Sequence, residues 1–258
     1  MGFTVTTADG IAEIVMEHPP VNALTVAGWF ELADRVTQAG RDPEVGALVL
    51  RAEGKGFNAG VDIKEMQNTG GFDALLGANR GCYAAFAAVY ECEVPVIAAV
   101  HDFCLGGGIG LVGNADVIVA AEGTRFGLPE VNQGALGAAT HLARLVPQHK
   151  MREMVYTAEP VDASLLESWG SVSRVVPREE LHNAIALQGM QFNLARVVGP
   201  ALAGLMLAQT SATVLFGLNT LSFIAVLAAV ASTAAAPPPA GPRAPASQQI
   251  AEAFGFVF

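Results

Sequence analysis

Short apolar segments rich in β-branched residues alternate with segments of helical spacing through the first 176 residues of this 258-residue chain. The strand-like segments cover residues 3–7, 11–16, 45–50, 94–100, 116–121 and 172–176, with a strand and turn at 125–130. The spacing of apolar residues predicts a helix from about residue 25 and further helices over 72–91, 135–146, 148–157 and 163–169. Strands that alternate with helices are typical of an α/β fold, and not of a helical bundle or a β-sandwich.

Three consecutive glycines, Gly106 to Gly108, separate the strand at 94–100 from an apolar run of helical character that starts at Ile109. Without side chains their backbone N–H groups stay uncovered, and the start of a helix adds further free donors. Donors of this kind stabilise an oxyanion. A lone run of glycines is also common in ordinary turns, so this stretch by itself leaves both interpretations open.

A second loop that contains glycines covers residues 51–66, and it too follows a strand. One N–H donor from each loop is enough to hold a carbonyl oxygen on which negative charge builds, and a thioester carbonyl then needs no metal. Glu130 directly follows Pro129 in a predicted turn. In an apolar pocket the pKa of its carboxyl would rise toward neutrality, which suits an acid/base group. At the surface it would be an ordinary carboxylate.

Three motifs in this order resemble the crotonase (enoyl-CoA hydratase/isomerase) superfamily: FNAGVDIKEM at 57–66, LGGG at 105–108 and FGLPE at 126–130. The segment PVNAL at 20–24 is similar as well, so the resemblance covers about residues 1–180. It implies a crotonase-like spiral of repeated ββα units and an acyl-CoA substrate. It also implies that coenzyme A enters as part of the substrate, that no cofactor is bound permanently, and that the protein is a homotrimer.

The same resemblance assigns roles to single residues. The backbone N–H groups of Val61 and Gly107 correspond to the family's oxyanion hole, and Glu130 corresponds to one of its catalytic glutamates. The residues that correspond to CoA contacts are Ala59, Gly60, Asp62, Ile63, Lys64 and Gly106, with Lys64 placed near a phosphate.

Two positions depart from the family pattern. Hydratases of the family carry a glutamate at the position of Gly110, and dienoyl-CoA isomerases carry an aspartate at the position of Ala138. The resemblance therefore favours a hydrolase or an isomerase, with one glutamate as acid/base, over a plain hydratase. Three further runs, at 81–92, 106–114 and 134–142, resemble the actinobacterial branch that hydrolytically opens a ring ketone in CoA esters from steroid breakdown.

Three more polar residues are candidates for a role near these motifs. His141 either faces the pocket or is a partly buried residue of the predicted helix at 135–146. Asp62 and Asp102 are predicted to cap the loops that contain them.

Charge and residue counts exclude several classes of protein. The net charge is −10, only 15% of residues are charged, and no basic stripe is present, so a nucleic-acid partner is not expected. The five histidines lack metal-binding spacing, which predicts no metal site. Cys82, Cys92 and Cys104 show neither metal spacing nor even pairing, which indicates buried thiols in a reducing compartment. No signal peptide is expected at the start, so the predicted location is cytoplasmic.

After about residue 180 the character of the sequence changes. Residues 197–242 contain no ionisable side chain, and the 22 uncharged residues at 214–235 are enough to cross a ~30 Å hydrocarbon layer. We therefore divide the chain into an enzyme core at 1–180, an apolar helical segment at 181–235, and a Pro/Ala-rich tail at 236–258 that is predicted to be disordered.

The apolar segment resembles two helices of a major facilitator superfamily exporter over residues 182–235. This predicts membrane association through residues 197–235 and places the family homotrimer in doubt, because the covering helices of a crotonase are missing. A gene fusion or frameshift would explain such a join. The alternatives to an active enzyme are a membrane transporter fragment fused to a crotonase passenger and an inactive CoA-binding module.

Overall fold

The computed structural model describes residues 2–69, 71–133, 135, 137–181 and 204. The described residues up to 181 belong to one compact unit, Met1–Gly199. The predictions of an apolar helical segment and a disordered tail fall on residues outside the described ones, apart from Gly204.

The first half of the chain contains a hairpin, three helices and two further strands: β1 (Gly2–Ala8), β2 (Ile11–Glu17), α1 (Val26–Gly40), β3 (Ala47–Ala52), α2 (Ile63–Asn68), α3 (Asp73–Tyr90) and β4 (Val96–Val100). The second half contains shorter elements: β5 (Phe103–Leu105), α4 (Gly107–Val112), β6 (Val117–Ala121), β7 (Arg125–Gly127), α5 (Ala139–Leu142), α6 (Gln148–Thr157), β8 (Val161–Asp162), α7 (Ala163–Ser168) and β9 (Arg174–Val176). Two 3₁₀ turns, Pro129–Gln133 and Arg178–Glu180, follow β7 and β9.

Within the described residues the strands form two sheets. The larger sheet has the strand order β1-β2-β3-β4-β6-β9 and is parallel except for the antiparallel hairpin of β1 and β2. The smaller sheet has the order β5-β7-β8. Every residue of β4 is buried, and Ile97 pairs with Val49 on one side and with Val117 on the other. A strand this apolar belongs inside a parallel sheet whose two faces are both covered.

Buried side chains cover both faces of the larger sheet. On one face, Trp29, Leu32 and Val36 of α1 are fully buried in the main core cluster. Helix α1 lies close to α3 because Gly81 has no side chain: a Cβ there would lie 2.8 Å from the Cβ of Trp29. On the other face, a smaller cluster combines alternate residues of β3, β4 and β6 with Leu181. The packed sheet therefore fixes the end of β3, from which one glycine-containing loop leaves, and the end of β4, after which β5 leads into the other.

The predicted α/β alternation is confirmed, including the hairpin and helices α1, α3, α6 and α7. The predicted helix at 135–146 is wrong in extent, because α5 covers only Ala139–Leu142. Ala138 has a left-handed φ of 48°, which ends the helix on that side. The N–H of Ala135 instead donates to the backbone oxygen of Glu130 at 3.0 Å, which ties Ala135 to the 3₁₀ turn that precedes it. The short elements α2 and β5 escaped prediction because neither is long enough to show a period.

Candidate active site

The Val61 loop (residues 53–62) is fixed by two buried asparagines, Asn22 and Asn58. The side chain of Asn22 donates to the backbone oxygens of Glu53 at 2.7 Å and Gly56 at 2.8 Å. The side chain of Asn58 donates to the backbone oxygen of Asn22 at 2.6 Å and accepts from the N–H of Gly60 at 2.8 Å. Both asparagines stand in the sequence motifs, but only their contacts show that they fix the course of the loop.

The direction of the Val61 N–H follows from a strand-like pairing with Leu24. The N–H of Leu24 donates to the backbone oxygen of Gly60 at 2.9 Å, and its own oxygen accepts from the N–H of Asp62 at 2.9 Å. In a parallel pairing of this kind, the N–H of the residue between the two partners points away. The N–H of Val61 has no backbone acceptor in the described part of the chain, so it is a free donor.

The Gly107 loop (residues 105–108) meets the Val61 loop backbone to backbone. Gly106 has φ 57° and ψ −119°, a conformation that side chains resist. A Cβ on Gly60 would lie 2.9 Å from the nitrogen of Gly107, and a Cβ on Gly107 would lie 2.7 Å from the indole ring of Trp29. The loops therefore touch with no side chain between them. Among the described residues, no backbone oxygen accepts a hydrogen bond from the N–H of Gly107.

The carboxyl group of Glu130 lies against the Gly107 loop. It follows β7, where the backbone oxygen of Gly127 accepts from the N–H of Gly106 at 3.1 Å. A Cβ on Gly106 would lie 2.8 Å from Oε1 of Glu130, and Oε2 is buried with no hydrogen-bond partner among the residues that the structure describes. Burial raises the pKa of this carboxyl, and its own backbone N–H opposes the shift in part. A raised carboxyl pKa suits proton transfer near neutral pH.

Helix α3 closes the site with an aromatic ring. A Cβ on Gly110 would lie 2.0 Å from the ring of Phe86, so this ring occupies the space into which a side chain at position 110 would extend. Phe86 in turn packs edge-on to Trp29, with 5.7 Å between the ring centroids. One turn earlier on α3, burial and the nearby charge of Glu130 raise the pKa of the Cys82 thiol to about 12. An aromatic ring, with the neutral thiol of Cys82 one turn away, therefore occupies the place where the resemblance implies a glutamate in hydratases.

The six residues that the resemblance assigns to CoA fall in two places: Ala59 to Lys64 around the start of α2, and Gly106. The side chain of Asp62 accepts from the N–H of Lys64 at 2.9 Å and of Glu65 at 3.4 Å, which confirms it as a cap. Ile63 and Lys64 are exposed, Ala59 is half-buried, and Gly60 and Gly106 are buried. The candidate CoA contacts therefore combine the exposed side chains of Ile63 and Lys64 with the buried backbone of Gly60 and Gly106.

The structure also bears on the predictions made for Asp102 and His141. The carboxylate of Asp102 pairs with Arg178 and not with a loop N–H group, so the prediction that it caps its loop is wrong. The reason is tertiary, since Arg178 lies beyond the last strand of the sheet and reaches back to this loop. His141 is half-buried, and its ring packs edge-on to Phe86 with 4.8 Å between the centroids. It therefore adjoins the aromatic wall of the site.

Comparison with known proteins identifies the family. The enoyl-CoA hydratase/isomerase family model matches residues 6–212. The chain belongs to this family. Its crotonase-type fold is shared with human enoyl-CoA hydratase domain-containing protein 3, at a TM-score of 0.72 and 28% identity over 88% of this chain and 92% of that one. An enoyl-CoA hydratase subunit from Geobacillus kaustophilus superposes with a TM-score of 0.68 at 28% identity, over 74% and 75% of the two chains.

Two relatives are much more similar in sequence. One from Rhodococcus jostii is 66% identical over 182 residues, 70% of each chain, and one from Mycobacterium tuberculosis is 63% identical over 185 residues, 71% of this chain and 75% of its own. Both are named (7aS)-7a-methyl-1,5-dioxo-2,3,5,6,7,7a-hexahydro-1H-indene-carboxyl-CoA hydrolase. A probable enoyl-CoA hydratase of Mycobacterium bovis is 36% identical. This crotonase-family chain is therefore an acyl-CoA enzyme, and its relatives favour a hydrolase over a plain hydratase.

The exporter resemblance gains no support from these comparisons. Its residues, 182–235, lie almost wholly outside the described part of the chain, and the family match itself runs on to residue 212. Among the described residues, no helix is both long and apolar enough to cross a bilayer. The boundaries at residues 180 and 235 stay predictions.

Proposed function

We propose that this enzyme hydrolyses a carbon–carbon bond in the acyl group of a CoA thioester and thereby opens a ring ketone. Two kinds of observation support the proposal. The Rhodococcus and Mycobacterium relatives are named hydrolases of a dioxo-indene carboxyl-CoA. Among the residues that the structure describes, the N–H groups of Val61 and Gly107 have no acceptor, and a buried carboxylate oxygen of Glu130 beside the same loops has no partner.

The observation that carries the proposal is the contact between the Val61 and Gly107 loops. A Cβ on Gly60, the residue before Val61, would lie only 2.9 Å from the nitrogen of Gly107, so the backbones of the two loops are in close contact. The N–H groups of Val61 and Gly107 are proposed to hold the thioester oxygen as negative charge builds on it. Fixed donors at such a position typically contribute ~3–4 kcal/mol each to lowering the barrier.

Glu130 is proposed as the acid/base group. Its carboxylate takes a proton from a water molecule as the water oxygen bonds to the ring carbonyl carbon. The adjacent ring carbon–carbon bond then breaks, and its electron pair passes into an enolate conjugated with the thioester, whose oxygen the two N–H groups hold. Glu130 returns the proton to the carbon, so the net reaction adds one water and produces one new carboxylic acid.

The wall at Gly110 is the reason to prefer this reaction over hydration of a double bond. Addition of water by two glutamates needs a second carboxylate at that position, and the ring of Phe86 fills the space. One carboxylate with an oxyanion hole is sufficient for enolate chemistry.

Binding of CoA is proposed to involve Ala59 to Lys64 and Gly106, with CoA arriving as part of the substrate and no permanent cofactor. A cytoplasmic location fits three cysteines that are all free thiols, Cys82, Cys92 and Cys104. The homotrimer that the family resemblance implies and the membrane association through residues 197–235 stay proposals for the whole chain.

The experiment incubates the purified full-length chain with the CoA thioester of a bicyclic dioxo acid in ¹⁸O-labelled water, followed by mass spectrometry. Carbon–carbon hydrolysis adds one labelled oxygen and leaves the thioester intact. Release of free CoA, or a product of unchanged mass, contradicts the proposal. Glu130→Gln is expected to lower kcat by about 100- to 10,000-fold. Glu122→Gln is the matched control, because Glu122 is exposed in the turn after β6, and it should keep the wild-type kcat.

A further inference from the structure

A polar network adjoins Phe86 and takes no part in the proposed acid/base step. Nδ2 of Asn114 donates to the backbone oxygen of Gly110 at 2.6 Å and lies 2.9 Å from Nδ1 of His141. The guanidinium of Arg144 donates to Oδ1 of Asn114. Arg144 is itself held over the ring of Tyr90, 4.8 Å from its centroid.

The partners of Asn114 fix which way its amide points. A guanidinium only donates, so the amide atom that faces Arg144 must be the oxygen. A backbone carbonyl only accepts, so the atom that faces Gly110 must be the nitrogen. The two requirements agree, and they leave the second N–H of the same amide directed at His141.

The amide orientation determines the tautomer of His141. Because Nδ1 faces an N–H donor, it must accept, and the ring proton of the neutral imidazole then sits on Nε2. Burial and the charge of Arg144 both lower the pKa of His141, which keeps the ring neutral. Within the described residues, Nε2 of His141 has no hydrogen-bond partner, and the residue is half-buried. The result is an oriented N–H donor without a partner in the described part of the chain.

The position of this donor is set by α4. Gly107, the proposed oxyanion donor, opens the helix, and the two residues in contact with Asn114 or His141, Gly110 and Gly113, follow later in the same segment. A Cβ on Gly113 would lie 2.7 Å from the backbone oxygen of His141, and at 1.5 Å per residue Gly113 is about 9 Å along the axis from Gly107. Phe86, which contacts both Gly110 and His141, lines the space between. That separation suits the far side of an acyl group whose thioester is held at Gly107.

We propose that His141 is a specificity-determining residue whose Nε2–H donates a hydrogen bond to an oxygen of the acyl group remote from the thioester, such as a ring ketone. Asn114 and Arg144 are positioning residues, because they act by fixing the tautomer of His141. The inference rests on the proposed function, since it takes the substrate to be a CoA thioester with an oxygenated ring.

The test compares the binding of two bicyclic CoA thioesters that differ only in the remote ring ketone, by calorimetry in the Glu130→Gln background. That background should not turn the substrate over. The keto thioester is expected to bind about 5- to 100-fold more tightly than the deoxo thioester. His141→Phe should abolish this preference without weakening the deoxo thioester, because the ring contact with Phe86 remains. His141→Gln keeps a donor and should retain part of the preference. His149→Phe, at an exposed position of α6, is the control and should retain all of it.

A measurement on the unaltered chain covers the case in which His141→Phe does not fold. The ¹⁵N shifts of the free protein should report a neutral His141 with its proton on Nε2, and the keto thioester should move the Nε2 resonance more than the deoxo thioester does. A proton on Nδ1, or a keto preference that survives in His141→Phe, overturns the inference. If Glu130→Gln still turns over the substrate while the keto preference disappears in His141→Phe, only the proposed acid/base role fails. If neither thioester binds, both proposals fall.

Discussion

Glu130 keeps a buried carboxylate oxygen without a hydrogen-bond partner among the described residues, and burial raises the pKa of its carboxyl. Gly60 holds a backbone conformation that side chains resist, with φ 89°, against the nitrogen of Gly107. Both features oppose folding slightly and would be easy to replace in a protein that needed only stability. Perturbed carboxyls and strained backbone concentrate where chemistry requires them, which agrees with the proposed roles.

Gly60 and Gly54 have nearly the same backbone conformation but different surroundings. Their alanine variants therefore distinguish the effect of backbone strain from the effect of a steric contact. Gly60 and Gly54 have φ 89° and 88°, but a Cβ on Gly60 would meet the nitrogen of Gly107 at 2.9 Å and one on Gly54 would meet nothing within 4 Å. Both alanine variants should lose about 1 kcal/mol of unfolding free energy from strain. Only Gly60→Ala should also lower kcat, by about 100-fold, because it pushes apart the two N–H donors. Urea unfolding and steady-state kinetics measure the two effects, and an equal loss of kcat in Gly54→Ala would contradict the oxyanion role.

At the scale of elements, the packing of α3 against α4 defines the site. Gly81 lets α3 approach Trp29 of α1, and five residues later Phe86 reaches the surface of α4 at Gly110. The same ring contacts Trp29 and His141. The ring of Phe86 therefore packs against Trp29, which lies against Gly107, and fills the space at Gly110. It also packs against His141, the proposed donor to a ring ketone.

The Gly110→Glu substitution should not create a hydratase. Its side chain would collide with the ring of Phe86, where an ideal Cβ already lies at 2.0 Å, and overpacking of this kind costs about 1–3 kcal/mol of unfolding free energy. Phe86→Ala in the same chain removes the obstacle. We expect hydration of a short enoyl-CoA only in the double variant, with Phe86→Ala alone as the control. If the Gly110→Glu variant had wild-type stability, α3 would have to move away from α4 at little cost, which would contradict the close contact between Phe86 and Gly110.

At the scale of the whole molecule, buried titratable groups set the dependence of stability on pH. Burial is the largest cause of a lowered pKa in His18, His101 and His141. Below the ordinary histidine value of about 6.5 the unfolded chain binds protons that the folded chain resists, so the free energy of unfolding falls as pH drops through this range. Glu130 acts in the opposite direction, because its raised pKa favours the folded state at low pH and loses that contribution as pH rises.

We expect the melting temperature to fall between pH 7.5 and pH 5.5, since among the described residues three histidines oppose one glutamate. His101→Gln tests a single contribution, because Nε2 of His101 lies 3.2 Å from the backbone oxygen of Gly54 and a glutamine amide can donate there at any pH. The fall should be smaller in this variant than in the wild type. His149→Gln, on the exposed surface of α6, should behave as the wild type. A fall of the same size in His101→Gln would remove this histidine from the pH dependence.

The sequence by itself determined the order of the longer strands and helices, the two glycine loops, and Glu130 as the carboxylate beside them. These follow from local periodicity and from motifs whose residues are adjacent along the chain. The extent of α5 was wrong because a single left-handed residue, Ala138, outweighs the apolar spacing around it.

Only the tertiary structure decided which of the candidate groups act together. Phe86 fills the space at Gly110 from a different helix, and Asn114 orients His141 from 27 residues away. Asp102, expected to cap its own loop, pairs instead with Arg178, 76 residues further along. Contacts between distant segments depend on how the sheet and α3 pack, and no local pattern encodes them. The motifs could therefore single out Val61, Gly107 and Glu130 as candidates, while the ring that fills the space at Gly110 and the contacts of His141 emerge from packing.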